Sequence, residues 1–478
     1  MRGVVVACAA AAALAAGVAS PASAGGPTLA FGAAEDSVKQ PSLAAAVTEL
    51  NLAKLAGLDA VRTTVQWRPG LTAPPDDELA GLRNAAQAGR LAGIRVVVSV
   101  YPFGSSVTPL TPEARAEFAT FTAALARAGF TELIVGNEPN LNRFWMPQFA
   151  PDGSNAAAAA FLPLLAETYD AVKAAAPRAV VWGVGLSPRG SDNPALSRHT
   201  HSPTAFIRDL GAAYRASGRA TPIMDGLAIH PYGDNSSQAP RSSAHPRSTS
   251  IGLADYDKLV GILGQAFDGT AQRGSTLPIL YDEFGVETQI PAAKVALYEG
   301  NEPATTRPVD EATQAAYYRQ AAEMAFCQPN VRGLFLFHIV DEKPRLAWQS
   351  GLYAIDRAPR QAVATMKQAV AESRRGVLAR CPSLRLTPKV ALKRVADPAA
   401  AAVEVRTDLD TSYVVRLVRT NGKVAGQAKG RTVGGVAKRV RIRLPRERAG
   451  RFRFEVSARA TVNAGAWRTA RGASFPLR

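Results

Sequence analysis

Arg95-Val96-Val97-Val98-Ser99-Val100 is an almost unbroken apolar run. A strand with one wet face alternates apolar and polar residues, whereas a strand covered on both faces is apolar throughout. This run therefore reads as the core of a buried parallel strand over 94–102. Seven others resemble it: 28–33, 58–67, 130–136, 179–187, 224–230, 277–283 and 331–340. Between and after them, helical periodicity recurs over 43–55, 77–92, 112–128, 156–175, 203–217, 254–267, 311–326 and 361–374. Eight consecutive strand–helix units predict a (β/α)8 TIM barrel. A doubly wound open sheet would offer a Gly-rich phosphate turn after its first strand, and Phe31-Gly32-Ala33-Ala34-Glu35 is not one. Connections from helix to strand are brief. Those from strand to helix are long, at 140–155, 187–202, 232–252 and 285–310. The elaboration is thus at the carboxyl ends of the strands, where barrels assemble their active sites.

The 478 residues are 47% hydrophobic and 20% charged, a globular composition that excludes collagen, coiled coil and wholesale disorder. The net charge of +17 is confined to one end. Residues 1–378 hold 33 Lys+Arg and 33 Asp+Glu, while residues 379–478 hold 23 and 6. That split sets the boundary between a barrel domain, 25–378, and a basic domain, 379–478. In the latter, short alternating segments at 402–405, 412–418, 439–444, 451–458 and 467–475 are separated by turns such as Asn421-Gly422. The pattern predicts a small all-β sandwich, immunoglobulin-like in kind. Its charge suits an anionic cell-wall polymer or other polyanion. With few aromatic residues to stack on bases, it gives no reason to expect a specific nucleic acid. A solvated, Arg-rich spacer is the other reading.

Residues 1–24 read as a secretory signal peptide: Arg2, an apolar run over 4–18, then Ala22-Ser23-Ala24, with cleavage before Gly25. A retained anchor is the alternative. No later stretch is long and apolar enough to span a membrane, so the mature chain is expected to be secreted, or held at the cell surface, without a transmembrane segment. Cys8 leaves with the signal. Cys327 and Cys381 then form an even pair in an exported chain, which points to a disulfide at the junction of the two domains, with two buried thiols as the alternative. No metal-ligand spacing or cofactor motif stands out; His199-Thr200-His201 is too isolated to argue for a metal.

Two strands deliver carboxylates. Ile134-Val135-Gly136-Asn137-Glu138-Pro139 ends the fourth, and Pro278-Ile279-Leu280-Tyr281-Asp282-Glu283 ends the seventh. Strands four and seven stand roughly opposite in an eight-stranded barrel, so Glu138 and Glu283 face each other across its mouth. Paired carboxylates in that position suit hydrolysis of a glycosidic bond. Asp282, one residue away, is expected to face the other side of the strand and form a salt bridge. A second copy, Asn301-Glu302-Pro303, follows no strand and reads as a surface turn. Trp145 and Trp348 are candidate platforms for sugar rings. A barrel that holds glycans without cleaving them is the alternative function, and a carbohydrate is the expected partner in either case.

At these motifs the chain resembles the clan A retaining glycoside hydrolases, family 5 (cellulase-like) or a relative such as family 39. The resemblance covers about 350 residues. It implies that Glu138 is the general acid/base and Glu283 the nucleophile, with Asn137 binding the sugar 2-hydroxyl. It further implies that Arg62 contacts the nucleophile and that His230 and Tyr232 support nucleophile and substrate. It implies no cofactor. Two positions depart from the family pattern. Strand three lacks its usual His, reading Ser99-Val100-Tyr101. Strand eight ends in Phe337-His338 rather than Trp, with Trp348 further on.

Overall fold

A computed structural model describes residues 25–443 and 449–477 of the protein. The signal-peptide reading of 1–24 lies outside the described residues. Eight parallel strands close into a barrel in chain order: β1 (Ala30–Ala34), β2 (Ala60–Trp67), β3 (Arg95–Pro102), β4 (Glu132–Val135), β5 (Val180–Leu186), β6 (Gly226–Ile229), β7 (Ile279–Phe284) and β8 (Val331–Phe337). β8 pairs with β1 from Ala30↔Gly333 to Ala34↔Phe337, which completes the ring. Outside run α1 (Leu43–Leu55), α2 (Asp76–Ala92), α3 (Pro112–Arg127), α4 (Ala156–Ala175), α5 (Pro203–Ala216), α6 (Tyr256–Phe267), α7 (Glu311–Cys327) and α8 (Gln361–Arg374). No helix among the described residues is long and apolar enough to cross a membrane.

Local chemistry sets these boundaries. Ser42, Thr111, Asn155, Ser202 and Asp310 each accept a hydrogen bond from the backbone N–H three residues on, satisfying an orphan donor at the start of α1, α3, α4, α5 and α7. Pro112 and Pro203 open α3 and α5, where a missing N–H costs nothing.

Inside the barrel, Ala60, Val97, Ile134, Trp182, Ala228, Leu280 and Phe335 form one apolar layer. Two residues further along each strand the same inward face recurs. On β2, β3 and β7 and just past β6, the next layer towards the carboxyl ends therefore holds Arg62, Ser99, Asp282 and His230. The barrel is oily at its waist and charged at its mouth.

The C-terminal region is the expected sandwich, with more strands than the sequence revealed. One sheet is β9 (Val390–Val395), β10 (Ala400–Thr407) and β13 (Lys438–Arg443). The other is β11 (Thr411–Arg419), β12 (Val424–Thr432), β14 (Arg451–Ala460), β15 (Arg468–Arg471) and β16 (Phe475–Pro476). Val403, Val405 and Ile442 from the first pack on Val415, Leu417, Phe454 and Val456 from the second. Leu384, Leu386, Leu409 and Ala460 merge with the barrel's own core, and Cys327 at the end of α7 is disulfide-bonded to Cys381. These contacts involve residues 25–29 ahead of β1 and the ends of α7 and α8, so the sandwich sits at the base of the barrel, opposite the mouth.

Candidate active site

The mouth holds a cleft of about 650 Å³ lined by Arg62, Asn137, Glu138, Tyr232, Glu283 and Trp348, with Tyr101, Arg143, Phe144, His338 and Glu342 around them. Arg62 reaches across the barrel. One terminal nitrogen bonds Glu283 Oε1, and the other donates to Ser99 Oγ and Asn137 Oδ1, each at 3.1 Å. Asn137 thereby has its acceptor engaged and its NH2 left for a ligand. Tyr232 donates to the second oxygen of Glu283 at 2.9 Å. His230 Nδ1 lies 3.0 Å from Glu138 Oε1 and 3.4 Å from Glu283 Oε2. The two carboxylates of the sequence reading thus meet over one imidazole.

The backbone beneath Glu138 is unusual. β4 stops at Val135, and Gly136 then takes φ +105° and Glu138 φ +44°, in the region that favours glycine. A Cβ on Gly136 would lie 2.6 Å from Val184 O, so only glycine lets the chain turn here. Glu138 N–H donates to Gly185 O at 2.7 Å, tying the turn to β5. Strain held by surrounding structure is characteristic of functional sites.

Asp282 corrects the sequence reading. Period-two alternation from the inward Leu280 makes Asp282 an inward residue, and a register shift between Tyr281 and Phe284 brings Glu283 to the mouth as well. Its salt bridge is made inside the site. Asp282 Oδ2 lies 3.6 Å from Arg62 Nε and 3.3 Å from His230 Nε2, and its side chain has no exposed surface. The inward row of β7 was the available signal.

Charge explains the titration behaviour. Burial alone would lower the His230 pKa, but Glu283 and Asp282 overcome it and lift it to about 10, so the ring is an imidazolium at neutral pH. Burial would likewise lower Arg62, and Glu283 and Asp282 raise it. Burial would raise Asp282, and the His230 and Arg62 charges hold it below its ordinary value. Burial, then the charges of Glu283 and Glu138, keep the Tyr232 phenol protonated far into the alkaline range.

Trp348 stacks on Tyr232 with ring centroids 4.9 Å apart, presenting an aromatic face to the cleft. Trp145 does not. It is 1% exposed and packs edge-on against Phe161 behind the wall, because the loop after Glu138 folds back on α4. His338, at the strand-eight position, makes a hydrogen bond between Nδ1 and Ala34 O at 2.8 Å and turns its other nitrogen to the cleft side, 3.7 Å from Glu342. Asn301-Glu302-Pro303 is more than a surface turn. Glu302 is half-buried beside the buried Glu287, whose pKa burial and the Glu302 charge raise to about 8.

No protein-family model matches the chain, and no curated protein matches it. Among solved structures it resembles a Bacteroides uniformis beta-glucuronidase (12% identity, 93% of this chain and 46% of that one, TM-score 0.44). It also resembles an endo-beta-1,4-mannanase from Thermotoga petrophila (10%, 93% and 97%, TM-score 0.43) and a beta-glucosidase from Exiguobacterium marinum (14%, 72% and 98%, TM-score 0.45). The chain spans under half the length of the glucuronidase. At these identities none of them assigns an activity to this chain.

Proposed function

We propose that the protein is a secreted, retaining glycoside hydrolase in which Glu283 is the nucleophile and Glu138 the general acid/base. The observation that carries this reading is the contact of both carboxylates with His230 Nδ1, at 3.0 and 3.4 Å. Oxygens that share one nitrogen at 3.0 and 3.4 Å can lie no more than about 6.4 Å apart, at the short side of the ~6.5–9.5 Å of inverting pairs, which favours retention.

Substrate enters with its sugar ring over Trp348. Glu283, oriented at both oxygens by Arg62 and Tyr232, attacks the anomeric carbon while Glu138 gives its proton to the departing glycosidic oxygen. The bond to the leaving group breaks as the glycosyl–Glu283 ester forms. Glu138, now ionised, takes a proton from water, which attacks the same carbon and releases Glu283. Asn137 is placed to donate to a sugar hydroxyl, and the imidazolium of His230 links the two acids throughout. The basic sandwich belongs to the same reading as the part that retains the enzyme on an anionic polymer.

The test incubates residues 25–478 with β-glucans, xylans, mannans, galactans and aryl glycosides, beside Glu283→Gln and Glu138→Gln. Release of reducing ends or aglycone that falls by about 10²–10⁴ in each variant is expected. Binding without release in the native protein would instead establish a glycan-binding barrel.

A further inference from the structure

Two strands of the barrel rise past their neighbours. β2 and β3 are each 8 residues long against 4 for β4 and β6, and they pair without a break from Ala60↔Arg95 to Trp67↔Pro102. β1 ends level with Arg62 and β4 level with Val100, so the upper halves of β2 and β3 stand as a two-stranded wall above the mouth. Ala60 and Val97 belong to the inward apolar layer, and alternation from them fixes what the wall presents. Above Arg62 and Ser99, β2 presents Thr64, Gln66 and then Arg68. β3 presents Tyr101 and then Phe103, whose N–H donates to Trp67 O at 2.9 Å and carries the ladder one step further.

The end of this wall has unspent binding capacity. Phe103 is 44% exposed, and among the described phenylalanines and tryptophans only Trp467, in the sandwich, is exposed as well. The Arg68 guanidinium lies 3.3 Å from the centre of the Phe103 ring and covers one of its faces. Among the described residues, neither that guanidinium nor the exposed Gln66 amide has a hydrogen-bond or ion-pair partner. These groups line a pocket of about 270 Å³, and Asp36, Thr64, Gln66 and Tyr101 line both this pocket and the catalytic cleft. The two are neighbouring parts of one groove.

A single exposed phenylalanine needs no explanation. Here an exposed ring, free donors and continuity with the cleft coincide. A pyranose calls for that combination, since its apolar C–H face packs on a ring while its hydroxyls need directional partners. Charge narrows the class. Lys39 and Arg68 balance Asp36 and Glu78, and Lys39 already bonds Glu78 at 2.7 Å, which suits a neutral sugar better than a uronic acid. Same-face residues repeat every ~6.6 Å along parallel strands, so Phe103 stands ~13 Å along the wall from Ser99. The sugar that reacts at Glu283 does not reach it.

We infer that Phe103, Arg68 and Gln66 form a second sugar subsite, holding a neutral pyranose unit further along the chain whose glycosidic bond lies between Glu138 and Glu283. The preferred substrate is then an oligo- or polysaccharide. Binding remote from the reacting bond assists only chains long enough to fill both places. The inference rests on the glycosidase reading above, and it adds the length of the substrate and the residues that sense it.

The test uses residues 25–478 carrying Glu283→Gln, with Glu138→Gln as a second background, so that chains stay uncut. Calorimetry measures binding of oligosaccharides of the β-glucan, xylan and mannan series, from disaccharide to hexasaccharide. In the series that binds, affinity should rise by about tenfold or more once the chain reaches Phe103, the scale of one aromatic stacking contact. Phe103→Ala should remove that rise, and Phe103→Trp should keep it. Trp467→Ala, which deletes the other exposed ring, should leave every affinity unchanged. No binding in any series, affinity that does not grow with length, or a loss on Trp467→Ala equal to that on Phe103→Ala would overturn the subsite. Length-dependent binding without cleavage by the native protein would instead overturn the hydrolase reading and leave the subsite standing.

Discussion

Asp282→Asn removes one negative charge from beneath the two site carboxylates with almost no change of shape. In the native protein Asp282 lies 3.3 Å from His230 and 3.6 Å from Arg62, and none of the three side chains is more than 4% exposed. At those separations and an effective dielectric constant of about 20, each attraction is worth roughly 5 kcal/mol before desolvation is subtracted. For His230 that is equivalent to about 3 to 4 in pKa, comparable with its whole rise to about 10. Glu138 and Glu283 remain in the variant, so the ring should titrate between its ordinary value and 10. The sign follows from linkage. A histidine raised in the folded state stabilises it fully below its unfolded pKa of ~6.5, and that contribution is lost as pH rises through the folded value. Breaking a buried pair costs about 3–5 kcal/mol. The variant should therefore be less stable by that amount near pH 7, with the gap narrowing by pH 10. Urea unfolding at several pH values measures the first quantity, and NMR titration of the His230 ring the second. The basic limb of kcat/KM should move down with the ring. A His230 still titrating near 10, with stability down by less than ~1 kcal/mol, would refute the assignment of Asp282 as one of the charges, after Glu283, that raise it.

Three further outcomes follow from geometry. Gly136→Ala places a Cβ 2.6 Å from Val184 O at φ +105° and displaces Glu138, so turnover should fall by ~10² or more while the circular dichroism spectrum stays native. Cys327→Ser opens a 54-residue loop and should cost roughly 4 kcal/mol in denaturant unfolding. Glu287→Gln removes an acid whose raised pKa makes the folded state lose stability as pH climbs from ~4.5 to about 8; the urea midpoint should match the native protein at pH 4.5 and exceed it at pH 8.5.

Barrel periodicity was legible because buried parallel strands and amphipathic helices write different patterns. The 43–55, 156–175 and 361–374 readings coincide with α1, α4 and α8, two of which open behind a capping Ser or Asn. β9 and β12 were missed. In Val390–Val395 and Val424–Thr432 the chain is Lys-, Arg- and Gly-rich, because one face is solvent and the edge has little to bury. Glu138, Glu283, Asn137, His230 and Tyr232 converge because each lies at or just past a strand end, whereas Arg62 reaches the site from early in β2 and Trp348 from the loop beyond β8. Trp145 does not, because the direction of a loop side chain is set by tertiary packing, here the contact with Phe161. Asp282 was misplaced by applying alternation from Glu283, which sits at a bulge, instead of from the regular part of β7.

The Cys327–Cys381 bond also determines how the molecule carries tension. If the sandwich is fixed to a surface and a long substrate drags on the barrel, force entering at Cys381 passes through the two sulfur atoms straight into α7. β8 and α8, the last unit to close the ring, lie on the slack side of that crosslink. A pull along the chain would therefore run through the covalent path up to α7 and bypass β8 and α8.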